Sequence, residues 1–305
     1  MDNISNFLYV VLRSVTPCIF VSLAAVISQQ AGLRNLSIES MALIASLVGV
    51  LISGATQSLW IALICGIASS VAVALILCYA AFYMKVNLPL MSIALNTAIS
   101  GGTIFVMFLL TGSKANTSTT IPSLVFPEIN IPIIKSIPFI GKVISGHNLM
   151  TYVALIMIYV VWFIVYKTRL GLRLRAVGES PEAAETAGIN VRHLRTIAFM
   201  LSAVLASFCG IFMSMGYVHW FARDMIAGRG FIGMSAATIA KASPVGAPVA
   251  SLAFTLAYVA NNYLRLKNID AQVVSAIPYA LTVILLDLFG LIRYWKGERS
   301  NKSQG

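Results

Sequence analysis

Charge is what this chain most lacks. Lys, Arg, Asp and Glu supply only 10% of its 305 residues, while hydrophobic types supply 59%. A soluble domain carries about 25% charged residues. So few charges cannot cover a water-facing surface of this size, which leaves lipid as the solvent for much of it. Residues 49–84, 149–166 and 197–221 hold no Asp, Glu, Lys or Arg at all. Each is long enough to cross a bilayer, which takes about 20 mostly apolar residues.

Other absences exclude whole classes of function. No G-x-x-x-x-G-K-[ST] string is present, so the chain does not bind ATP by a P-loop. The four cysteines, Cys18, Cys65, Cys78 and Cys209, form no C-x-x-C pair and sit in apolar runs, where they read as small packed hydrophobes. His147, His193 and His219 lie far apart without metal-ligand spacing. Neither a catalytic residue nor a metal ligand is expected. The net charge is +11, yet no basic stripe with interleaved aromatics exists, so nucleic acid is not an expected partner. Asp2 precedes any basic residue until Arg13, which does not suit a cleaved signal, and the first apolar run is expected to stay as a span.

What is present is a series of continuously apolar runs. Barrel strands would alternate apolar and polar residues, so these runs read as helices, which satisfy their own backbone in lipid. The spans are expected at roughly 14–31, 38–56, 59–81, 89–111, 148–166, 196–218, 227–243, 247–264 and 272–291. The expected fold is therefore an all-α integral membrane protein, a polytopic helical bundle of about nine spans, with residues 1–305 forming one transmembrane domain. The seventh span holds Gly228, Gly230 and Gly233, then Lys241, and stops at Ser243-Pro244. It reads as a broken or re-entrant helix, tolerated only where protein or a cavity surrounds it. Its G-x-G-x-x-G string follows no strand and reads as close packing or a kink.

With the 167–195 loop and the C-terminal tail placed in the cytoplasm, most of the 21 Lys and Arg residues fall on that side. The N-terminus then lies outside. The 112–147 loop also lies outside; it carries Pro122, Pro127, Pro132 and Pro138, four of the ten prolines. It reads equally as an ordered cap, a docking surface or a connector.

Polar residues within spans are the candidates for a solute pathway: Glu39, Asn96, Ser100, Thr103, Ser235, Thr238, Asn261 and Asp287, with Phe231 as an aromatic face for a base. Asn262 accompanies Asn261. Hydroxyls and amides suit a neutral, hydrogen-bonding solute. The same groups also join helices to one another, which is the more common role for any one of them.

The 167–195 loop is more informative. Ser180 is a good N-cap, Pro181 suits the first helical position, Glu182 lies where the helix dipole favours an anion, and Gly188 is a natural terminator. The framed helix is about two turns long, too short to be stable alone in water. Ala183, Ala184 and Ala187 are spaced to share a face. Arg169, Arg173 and Arg175 precede the helix; Arg192 and Arg195 follow it. It looks built to enter a groove on a cytoplasmic protein; the alternative is a helix lying on the headgroups with its arginines toward anionic lipid.

The run R-L-G-L-R-L-R-A-V-G-E-S-P-E-A-A-E-T-A-G-I-N, residues 169–190, resembles the cytoplasmic loop of bacterial ABC-importer permeases of the ribose and simple-sugar class. It is most similar to the nucleoside-type permeases that work with binding lipoproteins of the basic membrane protein family. Residues 34–41 resemble that family's N-[IL]-G-x-E-G-M pattern, with Glu39 at its Glu but Ser37 and Ser40 at its glycines. Residues 95–101, 138–141 and 227–232 also fit. Ala240-Lys241-Ala242-Ser243-Pro244 stands where the family has a Gly-Arg-Trp-Asn-Pro-like string, a departure that touches the seventh span. The resemblance implies an ATPase partner that receives residues 178–189, with Gly178, Glu179, Pro181, Glu182, Ala183, Ala184, Ala187 and Gly188 at the contact. It further implies a second, different permease chain and an extracytoplasmic substrate-binding lipoprotein, in the bacterial inner membrane. ATP and Mg would sit on the partner and no cofactor in this chain. The implied role is the translocation pathway for a neutral polar solute, nucleosides first and a ribose- or galactose-type sugar second. A stand-alone secondary carrier is the remote alternative.

Overall fold

A charge-free apolar run in lipid has one way to pair its backbone without neighbours, which is to coil. The computed structural model describes residues 2–121, 123–129, 143 and 145–265, and it is helical almost throughout. The long helices are α1 (Asp2–Gln30), α2 (Ile38–Thr56), α3 (Leu59–Phe82), α4 (Leu88–Thr111) and α5 (Leu149–Lys167). Two short helices follow, α6 (Arg169–Glu179) and α7 (Pro181–Thr186). Then come α8 (Val191–Ile211), which continues as a π-helix through Phe212–Val218, α9 (Arg229–Ile239) and α10 (Gly246–Arg265). A two-residue ladder pairs β1 (Glu128–Ile129) with β2 (His147–Asn148).

Six of these helices are long and apolar enough to cross a membrane, α1 to α5 and α8 with its π extension, at the first six expected positions. The eighth expected span is α10. The ninth, 272–291, lies outside the described residues. The seventh differs: α9 has 11 residues, about 16 Å at the helical rise, which is too short to cross alone. The sequence alone also left residues 169–179 as an arginine-rich lead-in; they form α6, capped by Thr168, whose hydroxyl accepts from the Gly171 amide at 3.2 Å.

Packing centres on α2, which lies between α3 and α8, while α1 packs on α5, α8 and α9. The approach is close because small residues meet. Gly210 of α8 abuts the Ala42 carbonyl of α2, leaving no room for a Cβ. Many buried hydroxyls are part of this packing rather than of any site. Ser22, Ser28, Ser46, Ser53 and Ser207 each donate to a carbonyl three residues back in their own helix. Helix α4 is the exception in burial, with only Ser92, Thr103 and Met107 buried. A first compact unit comprises Met1–Ser251, and α10 runs on into a second that begins at Leu252.

At the end of the bundle away from α6 and α7, the described part of the 112–147 loop is an ordered cap. Thr117 and Phe221 bond to each other twice, Arg223 donates to the Ala115 carbonyl, and Phe126 donates to that of Met215. Pro122, Pro132 and Pro138 lie outside the described residues. His147 stacks on Tyr9 with ring centroids 4.1 Å apart. Its Nε2 lies 2.7 Å from the Val143 carbonyl, so it must carry the proton, and Nδ1 is buried with no partner among the described residues. A second proton there would find no acceptor among the described residues. Burial pushes the ring pKa down, aided by Arg13 and opposed by the Val143 carbonyl and Glu128.

A lowered folded-state pKa makes the neutral ring stabilising above about pH 6.5, the unfolded value, and that contribution is lost as pH falls below it. The thermal midpoint of the purified chain should therefore fall between pH 7.5 and 5.5. His147→Gln, which cannot protonate, should reduce that fall.

Candidate functional site

The seventh crossing is broken in a specific way. The π-helix ends beside the cap, and residues 219–228 return without helical structure. His219, Asp224, Ala227 and Gly228 take positive φ angles of 73°, 48°, 51° and 77°. For the non-glycine residues that backbone is strained. The chain then resumes as α9, parallel to α1 and toward α6. Gln29 of α1 donates from Nε2 to Thr238 Oγ1 at 3.0 Å and to the Met234 carbonyl at 3.3 Å, and Gln30 donates to the Ala242 carbonyl at 2.7 Å. Lys241 and Ala242 are again at positive φ, 53° and 54°. Helix α9 is thus a short rigid rod between two strained joints.

One carboxylate holds the upper joint. Glu39, in the first turn of α2, accepts from the Gly228 amide on Oε1 and from the Gly230 amide on Oε2, each at 2.8 Å. The first amides of a helix have no partner within it and form its positive end. Glu39 therefore neutralises the start of α9 while sitting in the favourable first turn of its own helix. Gly230 is required here, because a Cβ would lie 2.7 Å from the Glu39 amide nitrogen. Asn96 of α4 secures the same corner: its Nδ2 donates to the Leu36 carbonyl at 2.9 Å and its Oδ1 accepts from the Ser40 amide at 3.2 Å. One turn on, the Ser100 hydroxyl donates to Asp224 at 2.7 Å. Asn35 adds a bond to Ser202 on α8 at 3.1 Å. Asn96 lies eight residues into α4, about 12 Å along it, so the cluster sits within the thickness of the bundle.

Of the expected pathway residues, Glu39, Asn96 and Ser100 come together, with Phe231 exposed on the first turn of α9. Thr103 is buried and bonds back to the Ser100 carbonyl, so it belongs to helix packing. Thr238 ties α9 to Gln29 at the far end, and Ser235 is half-buried between. Asn261 lies in α10 with its side chain outside the described residues, as is that of Asn262; Asp287 lies outside them altogether. Asp224, Gln29, Gln30 and Asn35 were not expected. Gln29-Gln30 was the available signal, a lone amide pair closing an otherwise apolar run.

Within the 167–195 segment, α6 ends near the lower joint of α9, Gly178 and Glu179 facing the same hollow as Lys241 and Ala242. Ser180 caps α7 by accepting from the Ala183 amide, and Gly188 takes φ +78°, as the spacing predicts. Ala184 departs from expectation: it is 4% exposed and packs into its own chain. The free face of α7 carries Ala183 and Ala187 with Glu182, Glu185 and Thr186. Pro181 is half-buried and Glu179 exposed. Arg169, Arg173 and Arg192 are exposed, while Arg175 and Arg195 are partly covered, Arg175 lying over the Tyr166 ring at 5.2 Å. Gly178 of α6 sits against the Gln30 carbonyl and Gly32, with no space for a side chain. Physical contact thus runs unbroken from α7 through α6 to Gln30, α9 and Glu39.

Among the described residues no group of His, Cys, Asp or Glu is placed to hold a metal. A bundle with six helices long and apolar enough to cross a membrane is the build of a polytopic membrane protein. The chain belongs to the family described as branched-chain amino acid transport system, permease component, which matches residues 7–286. It is the non-catalytic permease subunit of an ABC transporter, a class that works with ATPase and binding-protein partners and typically lacks cofactors. It is 29% identical to a nucleoside ABC transporter permease of Lactococcus lactis, over 94% of each chain. It is 31% identical to a guanosine ABC transporter permease of Bacillus subtilis, over 90% of this chain and 88% of that one. It is 27% identical to a protein provisionally named a glucose ABC transporter permease in Haloferax volcanii, over 96% and 94%.

Glu39→Gln keeps the shape but loses the charge-assisted bonds. It should destabilise the start of α9 by roughly 2 kcal/mol, about thirtyfold in local opening. Amide hydrogen exchange at 226–232 should rise accordingly, with no such change in Thr103→Val.

Proposed function

We propose that this chain forms one wall of the path by which a bacterial importer brings nucleosides across the cytoplasmic membrane, and that it is driven through α7. In this reading α7 lies in the cytoplasm, the N-terminus outside and the C-terminus inside, in keeping with the Lys and Arg bias of the loops. ATP and Mg sit on the partner ATPase, and a substrate-binding lipoprotein delivers solute from outside. The whole chain acts as one permease domain.

The observation that carries the proposal is the seam at Gly178. A helix with an exposed face at one end abuts Gln30, whose side chain holds the lower end of α9. Displacement of α7 by a docked ATPase therefore has a stiff route to α9. The substrate side is the corner of α4 and residues 219–231. Asp224 is 53% exposed there, and Gly101 and Gly102 face open space. Polar groups at that depth do not face hydrocarbon. A second permease, a different chain, closes this side and leaves a polar path between the two. Nucleosides are supported by two relatives that carry them in their names and by Phe231, 43% exposed, which offers a ring to a base. The third relative keeps a simple sugar as the second reading, since hydroxyls and amides serve either.

Ala183→Arg and Ala187→Arg, on the free face of α7, should abolish uptake by the assembled transporter and the retention of the ATPase on purification, with normal amounts of permease in the membrane. Ala184→Arg should instead lower the amount of folded permease. Binding of nucleosides and sugars to the cognate binding protein settles the solute. Unimpaired uptake by Ala183→Arg and Ala187→Arg would remove the docking role.

A further inference from the structure

A cleft of about 570 Å³ opens between the end of α3 and the start of α8. One wall is cationic. Arg192 and His193 stand exposed in the first turn of α8, where the unpaired helical amides add to the positive end. Asn190 caps the helix by accepting from the His193 amide at 3.0 Å. Among the described residues no Asp or Glu lines the cleft.

The opposite wall tells what covers it. Helix α3 carries an exposed apolar stripe over its whole length, from Trp60, Ile61 and Ile64 to Leu75 and Ile76. The stripe ends in Tyr79 and Tyr83, 61% and 71% exposed and stacked at 5.6 Å. A continuous apolar face is what hydrocarbon covers, and tyrosines at its end mark headgroup level. The cleft therefore opens toward lipid at the depth where phosphates lie, with arginine behind it.

We propose that this cleft is a binding site for the phosphate headgroup of an anionic phospholipid, held by Arg192 and His193 and flanked by the two tyrosines, with its acyl chains along the α3 stripe. The inference rests on the membrane placement of α3 and on the cytoplasmic side assigned above, but not on the docking role of α7. It assigns basic residues beside α7 to lipid and leaves the acidic and alanine face of α7 to the partner protein.

The test uses the purified full-length permease, washed in detergent with equal amounts of phosphatidylglycerol and phosphatidylcholine, and counts retained lipid by native mass spectrometry. Wild type should retain phosphatidylglycerol about fivefold over phosphatidylcholine, the factor expected for one arginine near an anionic surface. Arg192→Gln with His193→Gln should bring the ratio to about one, and Tyr79→Leu with Tyr83→Leu should lower it, while Arg173→Gln leaves it unchanged. An unchanged ratio in the Arg192 and His193 variant overturns the proposal. So does competition of inorganic phosphate at the site without selective lipid retention, which would make it a site for a free anion. Loss of the ATPase on purification of that variant, with lipid selectivity intact, would make the cleft a protein-docking surface and overturn it equally.

Discussion

A carboxylate inside a membrane protein must be matched or it will not stay ionised there. Glu39 is matched by two backbone amides, those of Gly228 and Gly230, and the rest of the site follows from that pairing. The amides belong to a helix that begins midway through the bundle, so the chain before it must be non-helical. Non-helical backbone at that depth survives only when its polar groups are met by protein or water. The cap supplies such partners to Phe221 and Arg223, and Ser100 bonds the Asp224 carboxylate, while Asn96 and Asn35 serve the adjoining 34–40 corner. A single ionisable side chain thereby fixes where the seventh crossing breaks and which helices surround the break.

The break gives the molecule a movable part. Between Ala227 and Lys241 the rod α9 is bounded by residues in left-handed backbone, and its two ends are held by different partners. Glu39 holds one end on α2, and Gln29 and Gln30 hold the other on α1. A shift at Gly178 changes the lower attachment without touching the upper one. Rigid-body tilting of a half-helix between hinges is a known form of two-state switching, and in the proposed coupling it would link docking at α7 to the polar corner at Glu39. In the proposed coupling the energy for that motion would come from the partner ATPase, since this chain is the non-catalytic permease subunit of an ABC transporter.

The spans were legible because absence of charge over some 20 residues has one explanation in a chain of this composition. The start of α7 was legible because Ser180, Pro181 and Gly188 each have a local reason for their place. Glycines at 228, 230 and 233 announced a disturbed seventh span, but not that the whole upper half lacks helix, because residues 219–227 look like the tail of an apolar run. Helix α6 was missed since its arginines mask the apolar face, with Leu174 and Val177 buried, that docks it. Ala184 was assigned to the partner because spacing alone places three alanines on one face; only tertiary packing shows that the chain keeps one for itself. Glu39, Asn96 and Ser100 were flagged as polar residues in spans, yet their convergence depends on long-range pairing that no local pattern encodes. Thr103 carried the same signal but is buried, its hydroxyl bonded to the Ser100 carbonyl of its own helix.

The central claim is that α7 and α9 move as one linked path through Gln30. Spin labels placed at Lys241→Cys and Lys85→Cys report the distance between the lower end of α9 and the turn between α3 and α4. In the assembled transporter that distance should change on ATP binding, and the change should vanish when Gln30→Ala is added although the ATPase still binds. A distance that is the same with and without ATP in an actively transporting complex, or that changes equally in the Gln30→Ala protein, would contradict the account.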